Sequence, residues 1–184
     1  MKICNTTKIT DQKHLNLVSV RYQDKNQSYK TWIYASRGNK IRPDAVVVVP
    51  YHKTLGKLVV IKEFRIPLQG IQFGFPAGLV DPGETVESAG KRELYEETGL
   101  SLTRVLKLSP PIFSSSGMTD ESICLMYVEC EGVPCSDFNE SSEEIETVLL
   151  SPKEARQLLS SPDLLFDVKS WIVLEQFADF GTVL

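Results

Sequence analysis

The chain has 184 residues, of which 42% are hydrophobic and 24% are charged, and its formal net charge is -4. This is the length of one domain with a substantial core, and the composition is ordinary for a globular protein. The negative balance gives the chain no general attraction to nucleic acid or to anionic membranes, so we expect neither as a partner.

The four cysteines lack the paired spacing of a metal site. There is no C-x-x-C pair, and the only histidines are His14 and His52. This pattern is simplest to explain by reduced cysteines in a cytoplasmic protein. Residues 1–15 lack the apolar core of a signal peptide, and no run of about 18 apolar residues occurs. We therefore expect a cytoplasmic protein without an export or membrane segment.

The first half of the chain is predicted to be rich in strands. Residues 15–22 and 29–35 alternate polar and apolar side chains, which predicts two antiparallel strands joined by a polar turn at residues 23–28. The apolar run at residues 45–50 is typical of a strand buried on both faces. Two further strands are predicted at residues 58–64 and 71–75.

The second half alternates between helices and strands. A helix is predicted at residues 86–98, which contain no proline and are followed by Gly99, a residue suited to a helix end. Strands are predicted at residues 102–108, 122–129 and 145–150. Helices are predicted at residues 152–159 and 164–177, the second with a broad apolar face. The pattern indicates an α/β fold.

Residues 78–100 carry the strongest concentration of acidic groups, and we expect chemistry there. Pro82 and Gly83 predict a turn before the helix. Glu93, Glu96 and Glu97 are spaced three and four residues apart, so they share a helix face and would repel each other unless a cation lay between them. Oxygen-only ligands suit a hard divalent ion such as Mg²⁺, and the absence of nearby His or Cys argues against zinc.

The same stretch fits the pattern G-x5-E-x7-R-E-U-x-E-E-x-G-U, in which U is aliphatic. The fixed positions are filled without a mismatch by Gly78, Glu84, Arg92, Glu93, Leu94, Glu96, Glu97, Gly99 and Leu100. This pattern is the Nudix box, so the chain resembles the Nudix hydrolase family. For Glu87, which lies outside the pattern, a solvated helix face is the better interpretation.

The resemblance implies a fold, a domain arrangement and a cofactor. The expected fold is an α/β/α sandwich around a mixed sheet with an N-terminal antiparallel hairpin. The hairpin region would span residues 1–40 and the Nudix domain residues 41–184. Mg²⁺, with Mn²⁺ as an alternative, would be bound by Glu93, Glu96, Glu97 and the Ala77 carbonyl. Glu84 and Arg92 would orient these carboxylates, and Gly78 would let the backbone approach the ion.

Segments outside the box resemble the ADP-ribose pyrophosphatase branch of the family. The sequence KEFRIPLQG is similar to a motif whose arginine binds substrate, which assigns that role to Arg65. Its guanidinium suits bidentate recognition of a diphosphate. The alternative is a surface arginine at the end of a strand.

Upstream, the resemblance implies that Trp32 stacks on adenine and that Arg37 lies near the terminal ribose or phosphate. The alternative for Trp32 is packing in the core. The N-terminal hairpin of this branch often reaches across a homodimer. A homodimer is therefore expected, in which Trp32 serves the neighbouring subunit's site.

Downstream, the branch usually carries an S-P-G-x-x-x-E pattern. This chain keeps Gly117 and Glu121, to which the resemblance assigns substrate binding, but has Ser116 in place of the proline. The identity of the sugar is therefore open. The alternative for this segment is an ordinary loop rich in serine and glycine.

The second acidic run, at residues 139–146, taken alone would be a solvated loop. The resemblance implies that a glutamate just before the strand at residues 145–150 is the general base or orients the attacking water. Glu143 is favoured by its offset, with Glu144 as the alternative. The expected catalytic residues are thus Glu93, Glu97, Glu143 and Glu144.

The resemblance implies Mg²⁺-dependent hydrolysis of the pyrophosphate bond of nucleoside diphosphate sugars. The best single candidate is ADP-ribose, which would give AMP and ribose 5-phosphate. One alternative is a Nudix hydrolase of other nucleotides, namely dinucleoside polyphosphates, NADH or nucleoside triphosphates. Another is a non-catalytic Nudix sensor that binds ADP-ribose.

Overall fold

A computed structural model describes residues 1–38, 43–139 and 144–184. In chain order, the elements are β1 (Lys2–Lys8), β2 (Asn16–Gln23), β3 (Tyr29–Ser36), β4 (Ala45–His52), β5 (Lys57–Arg65), a 3₁₀ helix (Ile66–Leu68), β6 (Gly70–Gly74), β7 (Ala77–Leu79), α1 (Val86–Thr98), β8 (Ser101–Leu108), β9 (Ile112–Phe113), β10 (Ser122–Glu131), β11 (Ile145–Leu150), α2 (Pro152–Leu159), β12 (Leu165–Phe166) and α3 (Val168–Phe180). Among the described helices, none combines the length and apolar character needed to cross a membrane.

The chain divides into two compact units. Unit 1 contains residues 1–44 and 111–123, and unit 2 contains residues 45–110 and 124–184. In unit 1, β1, β2 and β3 form an antiparallel sheet in that order. The predicted antiparallel hairpin is therefore confirmed. Strand β1 extends it and was not predicted, because all seven of its residues are exposed and leave no burial pattern in the sequence.

Unit 2 is built around a mixed sheet. Its strands lie in the order β12, β6, β5, β4, β10, β8, with β11 also paired to β5 and β7 paired to β4. The β12–β6 pair is parallel, whereas β5 pairs antiparallel with β4, β6 and β11. The mixed α/β fold predicted from the sequence is thus confirmed.

Helices cover both faces of this sheet. Alternate residues of β4 point to opposite sides, and Val46 and Val48 are fully buried in a cluster that includes Leu94 of α1. On the other face, Tyr51 makes an edge-to-face ring contact with Phe177 of α3, with centroids 6.4 Å apart. Strand β4 is therefore buried on both faces, as its unbroken apolar sequence predicts.

Helix α1 has the bounds that the sequence predicts. The Thr85 hydroxyl accepts a hydrogen bond from the Ser88 amide, and the Ser88 hydroxyl accepts one from the Thr85 amide, which closes a capping box. Gly99 ends the helix in the left-handed region, with φ 71°. The mid-helix Gly90 has a packing reason, because a Cβ there would overlap the methyl group of buried Met126.

Helix α3 begins at Val168, so the prediction that it starts at residue 164 is wrong. Leu165 and Phe166 instead pair with Gln72 and Phe73 of β6. The Asp167 side chain then accepts hydrogen bonds from the first free amides and caps the helix. The apolar pattern continues through both elements, so periodicity alone does not locate the boundary between them.

Candidate functional site

Strand β7 and helix α1 meet where the backbone lies against two carboxylates. An added Cβ at Gly78 would overlap the Glu93 carboxylate, so any larger residue there would force that carboxylate to move. The Ala77 amide lies 3.5 Å from Oε1 of Glu97, and Glu97 is only 5% exposed. Folding thus brings Ala77 and Gly78 beside the helix glutamates predicted to act with them.

We define the carboxylate cluster as Glu84, Glu93, Glu96 and Glu97, and Arg92 connects the first three of them. Its Nε and Nη2 donate to the two carboxylate oxygens of Glu84 at 3.2 and 3.1 Å, and Nη2 also donates to the Leu79 carbonyl at 3.1 Å. Its Nη1 donates to Glu93 at 2.7 Å and to Glu96 at 3.1 Å. One guanidinium therefore orients three carboxylates and ties α1 to the strand that precedes it.

These contacts shift the ionisation of Arg92 and Glu84. The hydrogen bonds from Arg92 hold the pKa of the Glu84 carboxyl below its usual value. Glu84 is also the largest cause that raises the pKa of Arg92, with a further contribution from Glu93. Both side chains therefore stay charged across the neutral range.

A cavity of about 340 Å³ opens at the same place. Carboxylates and backbone dominate its lining, which consists of Ala77, Gly78, Leu79, Asp81, Arg92, Glu93 and Glu96. Asp81 was part of the acidic stretch but was not predicted as a site residue. Because the cavity is lined by three carboxylates and one guanidinium, an anionic ligand would need an additional cation to bind there.

The donor set suits a divalent cation. Within the described residues, no three His, Cys, Asp or Glu side chains already converge on a common point that would hold a metal ion. Glu93, Glu96 and Glu97 nevertheless supply only oxygen ligands, and Gly78 leaves room for one of them against the backbone. Nη1 of Arg92 donates to Glu93 and Glu96, whereas Nε and Nη2 hold Glu84 and Leu79, so a cation bound to Glu93 and Glu96 would compete with Nη1.

Arg65 and Glu144 lie at the same end of the paired strands β5 and β11. The Phe64 amide, next to Arg65, donates to the Glu144 carbonyl at 3.3 Å. The Arg65 guanidinium forms an ion pair with Glu63, and its side chain is 51% exposed. Glu143, the favoured general base in the sequence analysis, lies outside the described residues.

In unit 1, four predicted substrate residues belong to one set of contacts. The Trp32 indole donates to the Gly117 carbonyl at 3.1 Å, and Arg37 forms an ion pair with Glu121 at 2.9 Å. The Trp32 side chain is 51% exposed and so does not lie in a packed core. The loop that contains Gly117 is thereby tied to the edge of β3, and an exposed aromatic ring lies beside it.

The sequence does not predict two contacts made by Phe138 and Asn139. The ring of Tyr95, inside the box helix, lies against Phe138, with centroids 4.5 Å apart. The Asn139 side chain donates to the Ile145 carbonyl at 3.2 Å. The only signal in the sequence is an aromatic residue at an unconstrained position of the box, which does not reveal its partner.

The chain is similar in sequence to a known domain family and to several known proteins. Residues 41–171 match the NUDIX domain. The ADP-ribose pyrophosphatase of Saccharomyces cerevisiae is 33% identical over 129 residues, which cover 66% of this chain and 55% of that protein. Putative nudix hydrolase 2 of Caenorhabditis elegans is 38% identical over 114 residues, covering 58% of this chain and 51% of that protein. The chain thus spans little more than half the length of these two curated relatives.

Two other matches cover a larger share of this chain and of the protein it is compared with. The ADP-ribose pyrophosphatase of Bacillus subtilis is 28% identical over 138 residues, covering 74% of this chain and 73% of that protein. The crystal structure of an ADP compounds hydrolase matches with a TM-score of 0.75 and 20% identity, covering 100% of this chain and 96% of that chain. This last match supports the fold. Because the domain match covers well over half of the residues, the chain belongs to the NUDIX domain family.

Proposed function

We propose that the protein hydrolyses the pyrophosphate bond of nucleoside diphosphate sugars, with ADP-ribose as the preferred substrate. The observation that carries this proposal is the junction of β7 and α1, where Gly78 makes room for Glu93 and Arg92 joins Glu84, Glu93 and Glu96. Relatives named as ADP-ribose pyrophosphatases in yeast and Bacillus subtilis support the substrate class.

A divalent cation is part of the proposal, with Mg²⁺ preferred and Mn²⁺ as the alternative. Nudix hydrolases generally depend on divalent metal ions. Glu93, Glu96, Glu97 and the Ala77 carbonyl would hold the ion. When bound, it would neutralise the charge of the diphosphate and lower the pKa of a coordinated water.

The protein's own residues position the reactants. Arg92 and Glu84 hold the helix carboxylates in place, and Arg65 is proposed to bind the diphosphate through its guanidinium. Glu143, or Glu144 as the alternative, is proposed to accept a proton from the attacking water. The water adds to one phosphorus while the bridging phosphate oxygen leaves, so ADP-ribose and water give AMP and ribose 5-phosphate.

Selectivity for the nucleoside is assigned to the contacts in unit 1. The exposed ring of Trp32 would stack on adenine, worth on the order of 1–3 kcal/mol for an aromatic platform. The Trp32 indole N–H is already used by Gly117, so the ring face is the part that would meet the base. Arg37, Gly117 and Glu121 would bind the rest of the nucleoside. We further propose a homodimer in which the N-terminal hairpin serves the neighbouring subunit.

A substrate panel tests the proposal. ADP-ribose, ADP-glucose, GDP-mannose, UDP-glucose, NADH, diadenosine polyphosphates and nucleoside triphosphates are incubated with the protein and Mg²⁺ or Mn²⁺, and the products are identified by mass. We expect ADP-ribose to have the highest kcat/KM and to give AMP and ribose 5-phosphate. A clear preference for NADH, dinucleoside polyphosphates or triphosphates would contradict the assigned substrate. Saturable binding of ADP-ribose without turnover would indicate a sensor instead.

A further inference from the structure

Residues 135–138, which follow β10, lie against the C-terminal half of α1. The Cys135 amide donates to the Thr98 carbonyl at 3.0 Å, within the last turn of the helix. A Cβ at Gly99 would overlap the Cys135 side chain, so the two segments lie in direct contact. The same helix contributes Glu93, Glu96 and Glu97 to the carboxylate cluster.

An aromatic contact between Tyr95 of α1 and Phe138 lies beside the contacts of Cys135. The rings of Tyr95 and Phe138 are tilted by 32° with their centroids 4.5 Å apart. Tyr95 is 42% exposed and Phe138 is 45% exposed, so neither belongs to the core. Such a pair adds a modest stabilisation beyond that of its buried area. Because both rings are partly exposed, we expect the Tyr95–Phe138 contact to fix the position of Phe138 against α1 more than to stabilise the whole fold.

Asn139, which follows Phe138, makes hydrogen bonds to residues on both sides of it in the sequence, Ser136 and Ile145. The Asn139 amide donates to the Ser136 carbonyl at 3.3 Å, which folds the chain back on itself after Cys135. The Asn139 side chain then donates to the carbonyl of Ile145 at 3.2 Å. Ile145 is paired with Glu63 of β5, and the Glu144 carbonyl accepts from the Phe64 amide.

These contacts form a continuous path from the box helix to Glu144. Tyr95 lies between Leu94 and Glu96 in the helix, Phe138 rests on it, and Asn139 holds the residue after Glu144. We propose that Phe138, through its stack on Tyr95 and through Asn139, is a positioning residue that sets the place of Glu144 relative to the carboxylates of α1. This inference rests on the proposed hydrolysis and on Glu144 acting in it.

Kinetics of Phe138 variants test the role. Phe138→Ala removes the ring, and we expect kcat to fall about 10- to 100-fold while KM stays within about twofold, because misplacing a group that takes part in proton transfer affects the chemical step. Phe138→Tyr keeps the ring and is expected to restore kcat to within about twofold of wild type. Phe180→Ala, at an exposed phenylalanine near the end of α3, is the matched control and should leave both constants unchanged.

A double-mutant cycle and amide hydrogen exchange separate a local effect on Glu144 from general unfolding of the variants. Tyr95→Ala should lower kcat as Phe138→Ala does, and the two together should lower it no further than either alone. Amide hydrogen exchange of residues 144–150 should speed up in Phe138→Ala, while exchange in α3 stays as in wild type. An unchanged kcat, an equal loss in Phe180→Ala, or unchanged exchange at residues 144–150 would overturn the positioning role. Absence of turnover in the wild type would overturn the proposed hydrolysis. Turnover in the wild type with an unchanged kcat in Phe138→Ala would overturn the positioning role alone, so the two failures are distinguishable.

Discussion

The carboxylate of Glu93 lies in the space that a side chain at Gly78 would occupy. An added Cβ at Gly78 would overlap that carboxylate, and the backbone at Gly78 is not in the left-handed region. The glycine therefore provides space for the Glu93 carboxylate in its observed position and is not needed for conformational freedom. This close approach ties strand β7 to the helix that carries the carboxylate cluster.

We expect Gly78→Ala to displace Glu93 and to lower kcat/KM about 100-fold, since a displacement of about 1 Å at a reacting centre has an effect of this order. Steady-state kinetics with ADP-ribose measure the change. Gly74→Ala is the matched control in β6, because a Cβ there would meet Asp167 at an ordinary contact distance of 3.6 Å. Equal losses in the two variants would show that the space at Gly78 has no special role.

Arg92→Lys tests whether the fork of the guanidinium is needed. A lysine has one nitrogen and cannot donate to Glu84, Glu93 and Glu96 in the observed geometry. We expect kcat/KM to fall about 10- to 100-fold, the range typical of groups that orient metal ligands. Arg104→Lys serves as the control, since that side chain is 65% exposed on β8. Activity within about twofold of wild type in Arg92→Lys would contradict the orienting role.

Local signals made the box helix predictable to its ends. The turn at Pro82 and Gly83, the absence of proline from residues 86–98 and the glycine at position 99 are short-range features, so the sequence alone locates the helix. The spacing of Glu93, Glu96 and Glu97 indicates a shared face for the same reason. By contrast, the close approach of Gly78 to Glu93 depends on how β7 and α1 pack, and the spacing of residues in the sequence does not predict it.

Other features depended on partners far away in the chain. The contact of Phe138 with Tyr95 and the ion pair of Arg37 with Glu121 join segments that only the fold brings together. Strand β1 is exposed along its whole length, so no alternation of burial marks it. The start of α3 was misplaced because a short strand and a helix share one apolar run.

The mid-helix Gly90 gives a test of packing that is separate from catalysis. Glycine in a helix costs about 1 kcal/mol relative to alanine, but a Cβ at Gly90 would overlap the methyl group of Met126. Met126→Leu removes that methyl group at modest cost. We expect Gly90→Ala to be more favourable in the Met126→Leu background than in wild type, by about 1 kcal/mol in the free energy of unfolding. Urea unfolding of wild type, Gly90→Ala, Met126→Leu and the double variant measures this difference. Additive effects of the two substitutions would contradict the packing explanation.

The pH dependence of stability can be tested at the capping box of α2. Hydrogen bonds from Ser151, followed by one from Lys57, lower the pKa of Glu154 from 4.5 to about 2. A lowered pKa means that the ionised group stabilises the fold fully above pH 4.5, and that this contribution is lost as the pH falls towards 2.

We therefore expect Glu154→Gln to lower the melting temperature at neutral pH, and the difference from wild type to shrink as the pH falls through that range. The control is Glu175→Gln, at an exposed position on α3. Thermal unfolding followed by circular dichroism measures the difference. A gap between wild type and Glu154→Gln that stays constant down to pH 2 would contradict the assignment.

We propose that the carboxylates of α1 carry out hydrolysis of ADP-ribose. The direct measurement is Mg²⁺-dependent release of AMP and ribose 5-phosphate by wild type, Glu97→Gln and Glu87→Gln. Glu87 lies in the first turn of the same helix, outside the cluster, and provides the matched control. We predict that wild type and Glu87→Gln turn over alike, and that Glu97→Gln loses more than about 100-fold in kcat, a larger effect than that of groups which only orient a ligand. Turnover by Glu97→Gln within a few-fold of wild type would contradict the claim.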